Sequence, residues 1–448
     1  MKINRISQAL GSISDEIYLR AIEEFEKTSN KNDSNISTEK PRVVSEEKPR
    51  KAPIIIALAG ICAAAAIALP LVLKNVGKSQ IAGSEELSGA TDSVSQSGDS
   101  STTLPFPDNI ILEMDLPKSA PSELPSVKLT LKTWDKEEIK RLFLSGKEFT
   151  QENENDEPFY AGEKFYYWTT TDGIAVGMGA GKFSYNDYSE LDGKYKYGTV
   201  YGFTKEDCAL IDDCYATNGE LAAFSSADAD KRAREMINKL GITNLGKPSV
   251  ISVRAEFANM VLSYMKNNAD EYGGEFEATP WTENEEIYIL RYPQVFENTA
   301  LSMAGTTYSY TDTNGGFAIK DPGAIAVVSK EKVLSLTMLT VFSEDYEVVE
   351  NIPVNCNPDE AVNILKEYLS NLVPTVTTKY YKCQPVYIAF SGTSDNMTVN
   401  CKPAWEFAGY SSHEDDGEFS ELMNYLYRSQ KYEYIWADTG HRYIEARD

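Results

Sequence analysis

Two serine signatures stand in the second half of the chain, Ser329-Lys-Glu-Lys332 and Ser394-Asp395-Asn396. In that order they suggest acyl transfer, in which a lysine one helical turn after a serine takes up the hydroxyl proton. That chemistry needs the serine at the start of a buried helix, whereas the stretch from Ala324 to Leu339 is apolar and β-branched, a strand pattern. The companion Lys-Thr-Gly triplet is absent, and the Ser-x-x-Lys spacing recurs at Ser45 and Ser263. Asp438-Thr439-Gly440 offers a second chemistry, peptide hydrolysis by two carboxylates that share one proton. Only one such triplet occurs, and Asp and Gly are also what a hairpin turn requires. The chain is therefore read as non-enzymatic, with no catalytic residue assigned. A cell-wall-acting hydrolase is the enzymatic alternative.

Gly177-Met-Gly179-Ala-Gly181 has the glycine density of a phosphate loop, but Phe183-Ser-Tyr185 follows where a capped helix should open. Without that helix there is no row of amides and no dipole to hold an anion, so the run reads as a glycine-relaxed strand or bulge. The two histidines, His413 and His441, have no metal-ligand spacing and no adjacent nucleophile. The acidic runs Glu152–Glu157 and Glu414–Glu418 lack the alternating ligands and closing bidentate glutamate of a calcium loop. No metal and no cofactor is expected. Cys62 lies in an apolar run, and Cys208, Cys214, Cys356, Cys383 and Cys401 follow it. Cys208 with Cys214, or Cys383 with Cys401, could bridge; neither spacing resembles a zinc site, and reduced, partly buried thiols are the better reading. Phe159, Tyr160, Phe165, Tyr166, Tyr167 and Trp168 could line a groove for peptide or glycan, but alternation on a two-sided sheet sends half of them into a core.

The elements that must position these residues are arranged around one stretch. Ala52–Leu73 contains no charged residue over 22 positions and ten Ile, Leu or Val. As a helix it would extend about 33 Å, close to the thickness of a hydrocarbon core, and a transmembrane helix is expected there. Lys40, Arg42, Lys48, Arg50 and Lys51 precede it and only Lys74 and Lys78 follow, which places the N-terminus in the cytoplasm and the rest outside. A cleaved signal would lie nearer the start of the chain, and Ile61 before Cys62 defeats a lipoprotein reading. The net charge of −25 is uneven: residues 1–51 carry 10 Lys/Arg and 9 Asp/Glu, and residues 74–448 carry 33 and 59. An acidic exterior argues against nucleic acid and anionic headgroups as partners and leaves a basic partner, cations or plain solubility.

Along the chain, residues 1–30 form a small helical element. Ser14 caps its second helix, on which Tyr18, Ile22 and Phe25 make an apolar stripe too small to be buried alone. That stripe is the candidate partner-binding face for a cytoplasmic regulator. Residues 28–51 read as a polar linker, and 74–107 as a flexible Gly/Ser/Thr/Asp-rich extracytoplasmic spacer. Beyond it, Asp135 with Glu138, Ser225 with Asp228, and Asn357 with Glu360 open three amphipathic helices. Strand patterns occupy Val127–Lys132, Phe165–Thr170, Ile174–Met178, Glu286–Tyr292, Ala324–Ser329, Val333–Phe342, Cys383–Phe390, Met397–Phe407, Tyr432–Ala437 and Arg442–Ala446, while Val253–Asn268 fits strand or helix. The fold class expected is α+β: one transmembrane helix and an exterior of antiparallel sheets with a few packed helices, divided into sub-domains at 108–245 and 246–448.

Two resemblances add to this reading. Ala9-Leu10-Gly11-Ser12-Ile13-Ser14-Asp15-Glu16, followed by a short helix and one apolar stretch, resembles the start of single-pass envelope proteins of Gram-positive anaerobes, some of them anti-sigma-factor-like. No His or Cys precedes Cys62, which sets the zinc-containing subclass aside. The capped helix at Asn357-Pro-Asp-Glu-Ala361, the run Pro403-Ala404-Trp405-Glu406-Phe407 and the terminal Tyr434-Ile-Trp-Ala-Asp438-Thr-Gly440 resemble PepSY-type and YycI/YycH-type extracytoplasmic modules. That resemblance implies a regulatory ectodomain in which Trp405 and Asp438 are structural. The function expected is thus a single-pass membrane protein whose exterior senses or binds a protein or peptide and regulates a cytoplasmic partner, as an anti-sigma-factor-like or two-component accessory protein. A tethered cell-wall or peptide-binding module without a signalling role is the alternative.

Overall fold

The computed structural model describes residues 107–443 apart from Ser119 and the stretches 154–163, 196–199, 202–203, 205–217, 269–278, 304–305, 309–316, 320–321, 372–376, 393–396 and 413–428. Strands β1 (Ile110–Asp115) and β2 (Glu123–Leu131) begin one sheet, and helix α1 (Lys136–Phe143) leads to β3 (Phe149–Asn153), β4 (Phe165–Thr170), β5 (Ile174–Gly179) and β6 (Lys182–Asp187) of another. Helix α2 (Ser226–Lys239), β7 (Ser249–Val253), helix α3 (Ala255–Asn267) and β8 (Ile287–Pro293) follow. The chain then returns to the first sheet with β9 (Val295–Phe296) and β10 (Thr299–Leu301) and forms a ribbon of β11 (Thr306–Tyr308) and β12 (Phe317–Ile319). Strands β13 (Gly323–Ser329) and β14 (Val333–Met338) go back to the second sheet. The first sheet is completed by β15 (Phe342–Pro353), then, after helix α4 (Pro358–Ser370), by β16 (Thr377–Gly392), β17 (Thr398–Ser412) and β18 (Ser429–Trp436).

The second sheet runs β3-β4-β5-β6-β14-β13-β8-β7, antiparallel throughout. The first runs β15-β2-β17-β16-β10-β9, and its two long central strands each hold two neighbours on one edge. Strand β17 pairs with β2 through Thr398–Cys401 and with β18 through Ala404–Ser411; β16 pairs with β1 and, further along, with β10.

This architecture corrects the expected fold class. Of the described residues 48% lie in strands and 23% in helices, in two eight-stranded sheets, so the fold is predominantly β and not α+β. Strand content was underread because several strands lack a strand's usual signature. The run Val333–Phe342 is not one strand: the chain breaks at Leu339–Val341 to change sheets, and β15 continues through eight consecutive exposed residues that no apolar alternation marks. Among the described residues no helix is long and apolar enough to cross a membrane, and the structure lends the transmembrane helix expected at 52–73 no support. Residues 52–73, with segment 1–51 and the linker up to residue 106, lie outside the described residues.

The helices form where the capping chemistry placed them. Asp135 accepts from the Glu138 N–H at 2.9 Å, Ser225 Oγ from the Asp228 N–H at 3.1 Å, and Asn357 with Glu360 forms a reciprocal capping box. Each cap contributes about 1 kcal/mol by satisfying amides the helix leaves open. Helix α2 buries Ala229, Ala233 and Ile237, one per turn, and packs with α1 on one face of the second sheet against Tyr288, Leu290 and Tyr292. The other face receives Phe257, Val261 and Leu262 of α3 against Ile287 and Ile289. Alternate residues of β8 therefore enter different cores, which is why the strand reads as a continuous apolar run. Helix α4 covers the first sheet in the same way, with Ala361, Leu365 and Leu369 on Trp405 and Phe407.

The sheets meet at a polar clamp. Gln294, fully buried in the single position between β8 and β9, donates to Phe342 O at 2.7 Å and to Asn244 Oδ1 at 3.0 Å and accepts the Phe342 N–H at 2.9 Å. Beside it three backbone bonds close a ring: Gly181 N–H to Lys132 O at 2.6 Å, Lys132 N–H to Val341 O at 2.9 Å and Val341 N–H to Gly181 O at 2.9 Å. Val127, Leu129, Phe296, Phe342 and Tyr387 pack around them. Replacing Gln294 by Leu strips the buried Phe342 peptide groups of their partner, and the expected cost is about 2–4 kcal/mol. Urea denaturation of the full chain measures it; a loss below about 0.5 kcal/mol, the size of an ordinary surface substitution, would show that the clamp is dispensable.

Candidate functional site

The chemically suggestive residues that the structure describes are dispersed into structural positions. Ser329 and Lys332 form the turn between β13 and β14, where Ser329 Oγ accepts from the Glu331 and Lys332 N–H groups and donates to Lys332 O. The Lys332 ammonium points elsewhere, to Asp187 at 2.7 Å and Glu190 at 3.5 Å. Burial works against its charge, yet the hydrogen bond and attraction of Asp187, with Glu190, hold its pKa above the ordinary lysine value. Lys332 is thus not placed to deprotonate this serine, and Ser394, Asp395 and Asn396 lie outside the described residues, as do Tyr18, Ile22, Phe25 and His413.

Asp438 lies in the turn after β18 and pairs with Lys402 at 2.5 Å, whose ammonium also stands 5.4 Å from the centre of the Trp436 ring. Gly440, at φ +66°, closes that turn with its N–H on Trp436 O, and His441 beside it is exposed. Asp438 is a turn residue held by one cation and not half of a proton-sharing pair. Gly177 and Gly179 lie on β5 under the Phe165 ring: a Cβ on them would fall 3.0 Å from its Cζ and 3.2 Å from its Cδ2. They make room for an aromatic side chain on the neighbouring strand, not for a phosphate. Of the aromatic run, Trp168 is fully buried and Tyr166 stacks on it at 6.3 Å, so both belong to the α1–α2 core. Glu152 pairs with Lys140, and no three His, Cys, Asp or Glu among the described residues converge as metal ligands.

Cys356, Cys383 and Cys401 are free and buried. Cys383 stands opposite Phe407 and Cys401 opposite Ala389. Six positions of β17 therefore separate them, about 20 Å along the strand, beyond the reach of a disulfide. Burial, with Glu406 nearby, pushes the Cys383 thiol up to about 12, and burial raises Cys356 and Cys401 as well.

Two arrangements were not singled out as sites from the sequence. The first is a buried carboxylate on β17. Glu406, 4% exposed, accepts from Ser302 Oγ at 2.5 Å and from Gln384 Nε2 at 2.8 Å, and Ser302 Oγ also meets Tyr434 Oη at 2.8 Å. Its signal was a lone carboxylate in the apolar run Pro403–Ala408. Serine beside carboxylate could be a nucleophile with its base, but Ser302 is itself only 6% exposed, and its hydroxyl already serves both Glu406 and Tyr434. The cluster ties the chain after β10 to β16, β17 and β18.

The second is β15, the outermost strand of the first sheet. Among the described residues it pairs only with β2, and its eight residues from Glu344 to Asn351 are all exposed. Three of the four exposed large hydrophobics among the described residues lie on it: Tyr346 at 37%, Val348 at 46% and Val349 at 50%. Glu347 stands between them, with Glu344 and Asp345 before and Glu350 after. A shallow open depression of about 400 Å³ adjoins the start of the strand, lined by Thr130, Leu131, Lys132, Thr133, Ser343 and Asp345. Tyr346 is backed by the Phe296 ring at 5.4 Å and hydrogen-bonds Glu297 in the β9–β10 turn. A surface that is extended, wet on both faces and both apolar and acidic can bind a chain; it offers no nucleophile, base or metal set.

No protein-family model and no curated protein matches the chain. Among solved structures, it is similar to an uncharacterized protein from Eubacterium rectale ATCC 33656, at 15% identity over 75% of this chain and 91% of that one, with a TM-score of 0.50. That likeness concerns the fold alone.

Because a raised thiol stays protonated near pH 8 and a protonated thiol is a poor nucleophile, Cys356, Cys383 and Cys401 are expected to resist iodoacetamide in the native chain and to react once it is unfolded in urea. Peptide mass mapping reads each position separately. Rapid labelling of Cys383 in the native protein would overturn its placement beneath α4.

Proposed function

We propose that this chain is a non-enzymatic binding and regulatory module of the cell envelope. Its folded region stands outside, is held at a membrane through the apolar stretch 52–73 and engages a partner polypeptide; segment 1–30, through Tyr18, Ile22 and Phe25, passes that state to a cytoplasmic regulator. The observation that carries the reading is the concentration of exposed apolar side chains, Tyr346, Val348 and Val349, on one edge strand whose apolar surface the fold buries only in part. Soluble proteins seldom leave large apolar groups clustered in water unless something else covers them. The acidic balance of residues 74–448, 33 Lys/Arg against 59 Asp/Glu, supports a protein partner over nucleic acid or an anionic lipid surface. The dispersal of the serine, aspartate and glycine motifs into turns and packing sites supports binding over catalysis.

A photo-crosslinking residue in place of Val349 in the full chain, expressed in cells, tests the outer half of this reading. Specific adducts at 349, and none from the same residue placed at exposed Glu137 on α1, are expected. Equal adducts at both positions, or none, would remove the proposal. For the inner half, purification of the full chain and of a version lacking residues 1–40 from solubilised membranes should recover a cytoplasmic transcription or signalling protein with the former only. Recovery of the same outer proteins alone with both versions would reduce the function to a tethered binding module.

A further inference from the structure

We infer that β15 captures its partner by strand addition, and that the partner contributes an extended basic segment in which Lys or Arg alternates with apolar residues. The inference rests on the binding reading above and names the chemistry of what binds.

The backbone makes the first part of the case. β15 has 12 residues, and among the described residues β2 is its only neighbour, so one edge of the strand has no partner. On an edge strand alternate N–H and C=O groups face outward as a template for another chain. At about 3.4 Å per residue the strand spans about 40 Å, room for a partner strand of ordinary length. An incoming strand would meet side chains on both faces, because Glu344–Asn351 are exposed without interruption.

Charge decides which strand fits. Glu347 has a cation in reach, Lys128 on β2 at 3.5 Å, and Glu344 accepts from the N–H and hydroxyl of Thr243. Asp345 and Glu350 form no ion pair among the described residues. A second copy of the chain, laid antiparallel on the same edge, would set carboxylates against carboxylates, and like charges across a strand pair are destabilising. An acidic partner or an anionic lipid surface is repelled for the same reason. A basic segment pairs with carboxylates that are otherwise unmatched.

Protection is the competing account of the edge. Natural edges are blunted by charge and by bulges, and β15 has both, with register breaks between Phe342 and Tyr346 and between Val348 and Glu350. These devices keep copies of the protein apart. They do not explain Tyr346, Val348 and Val349, since a strand designed only to stay unpaired would not carry half-exposed valines side by side. Apolar groups give an arriving strand area to bury, and the carboxylates select its sign.

The test uses the full chain in detergent and three fluorescent peptides of about ten residues: alternating Lys-Val, alternating Glu-Val, and Lys-Val with alternate amides N-methylated. Anisotropy should show saturable binding of Lys-Val that weakens with salt, and binding of the other two at least about tenfold weaker. The double variant Asp345→Lys with Glu350→Lys should lose about tenfold for Lys-Val and gain for Glu-Val, and Val348→Ser with Val349→Ser should weaken Lys-Val without reversing the preference. Equal binding of the N-methylated peptide would overturn strand addition. Insensitivity to the charge reversal would overturn the basic partner. Crosslinks at position 349 in cells together with no Lys-Val binding would sink this inference and leave the binding reading standing; absence of both would remove both.

Discussion

The fold depends on one buried amide. Gln294 occupies the step between β8 and β9, where the chain leaves the second sheet for the first, and it grips both peptide groups of Phe342, where the chain makes the same passage again after β14. A side-chain amide suits this place because it offers donor and acceptor side by side, matching the N–H and C=O of one residue. No apolar residue could fill it, because two buried peptide groups would then lack partners. Register is at stake as well as energy. Side chains alternate along a strand, so a slip of one residue at Phe342 would exchange the faces of β15 and put Ser343 and Pro353, or Val341 and Asn351, where Phe342 and Ile352 now pack.

The same economy of polar groups runs through both cores. Tyr288 and Tyr292 bury their rings against α1 and α2 but send their hydroxyls to Glu220 at 2.9 Å and Asp230 at 2.8 Å. Burial is the main cause that pushes both phenols far above the ordinary tyrosine range, so they remain donors at any physiological pH. Glu406 is satisfied by neutral donors alone, an arrangement that fixes three strands and the chain after β10 to one another. Each such group has little net worth when paired and a large cost when orphaned. They act more as specifiers of one packing than as sources of stability, and this is why serine, carboxylate and tyrosine can gather at Glu406 without forming a reactive centre.

What could be read from the sequence follows from the range of the interactions. Asp135, Ser225 and Asn357 marked three helices because a cap is settled within four residues. β8 and β13 were legible because they are buried on both faces and their side chains are apolar nearly throughout. Gln294 was not, since a glutamine after a strand looks like any loop residue until Phe342, 48 positions later, is brought beside it. β15 was missed for the opposite reason: strand recognition relies on burial, and this strand is not buried. The motifs misled by the same logic, since Ser329, Asp438 and Gly177 are residue types that turns and close packing use as readily as catalysis does.

The part of the molecule least legible as structure is therefore the most informative about function. Every other described large hydrophobic except Leu339 is buried or partly buried. Selection for solubility alone would replace Val348 and Val349 by Thr or Lys at no cost to the pairing with β2, since each lies half in water. Selection for stability alone would not string four carboxylates along one edge, where their mutual repulsion is only partly relieved by Lys128 and Thr243. Apolar area and unmatched charge of one sign coexist on a free backbone edge only if both are complemented elsewhere. The first requires a chain that lies flat against the strand, the second a chain of opposite charge, and one extended basic segment satisfies both.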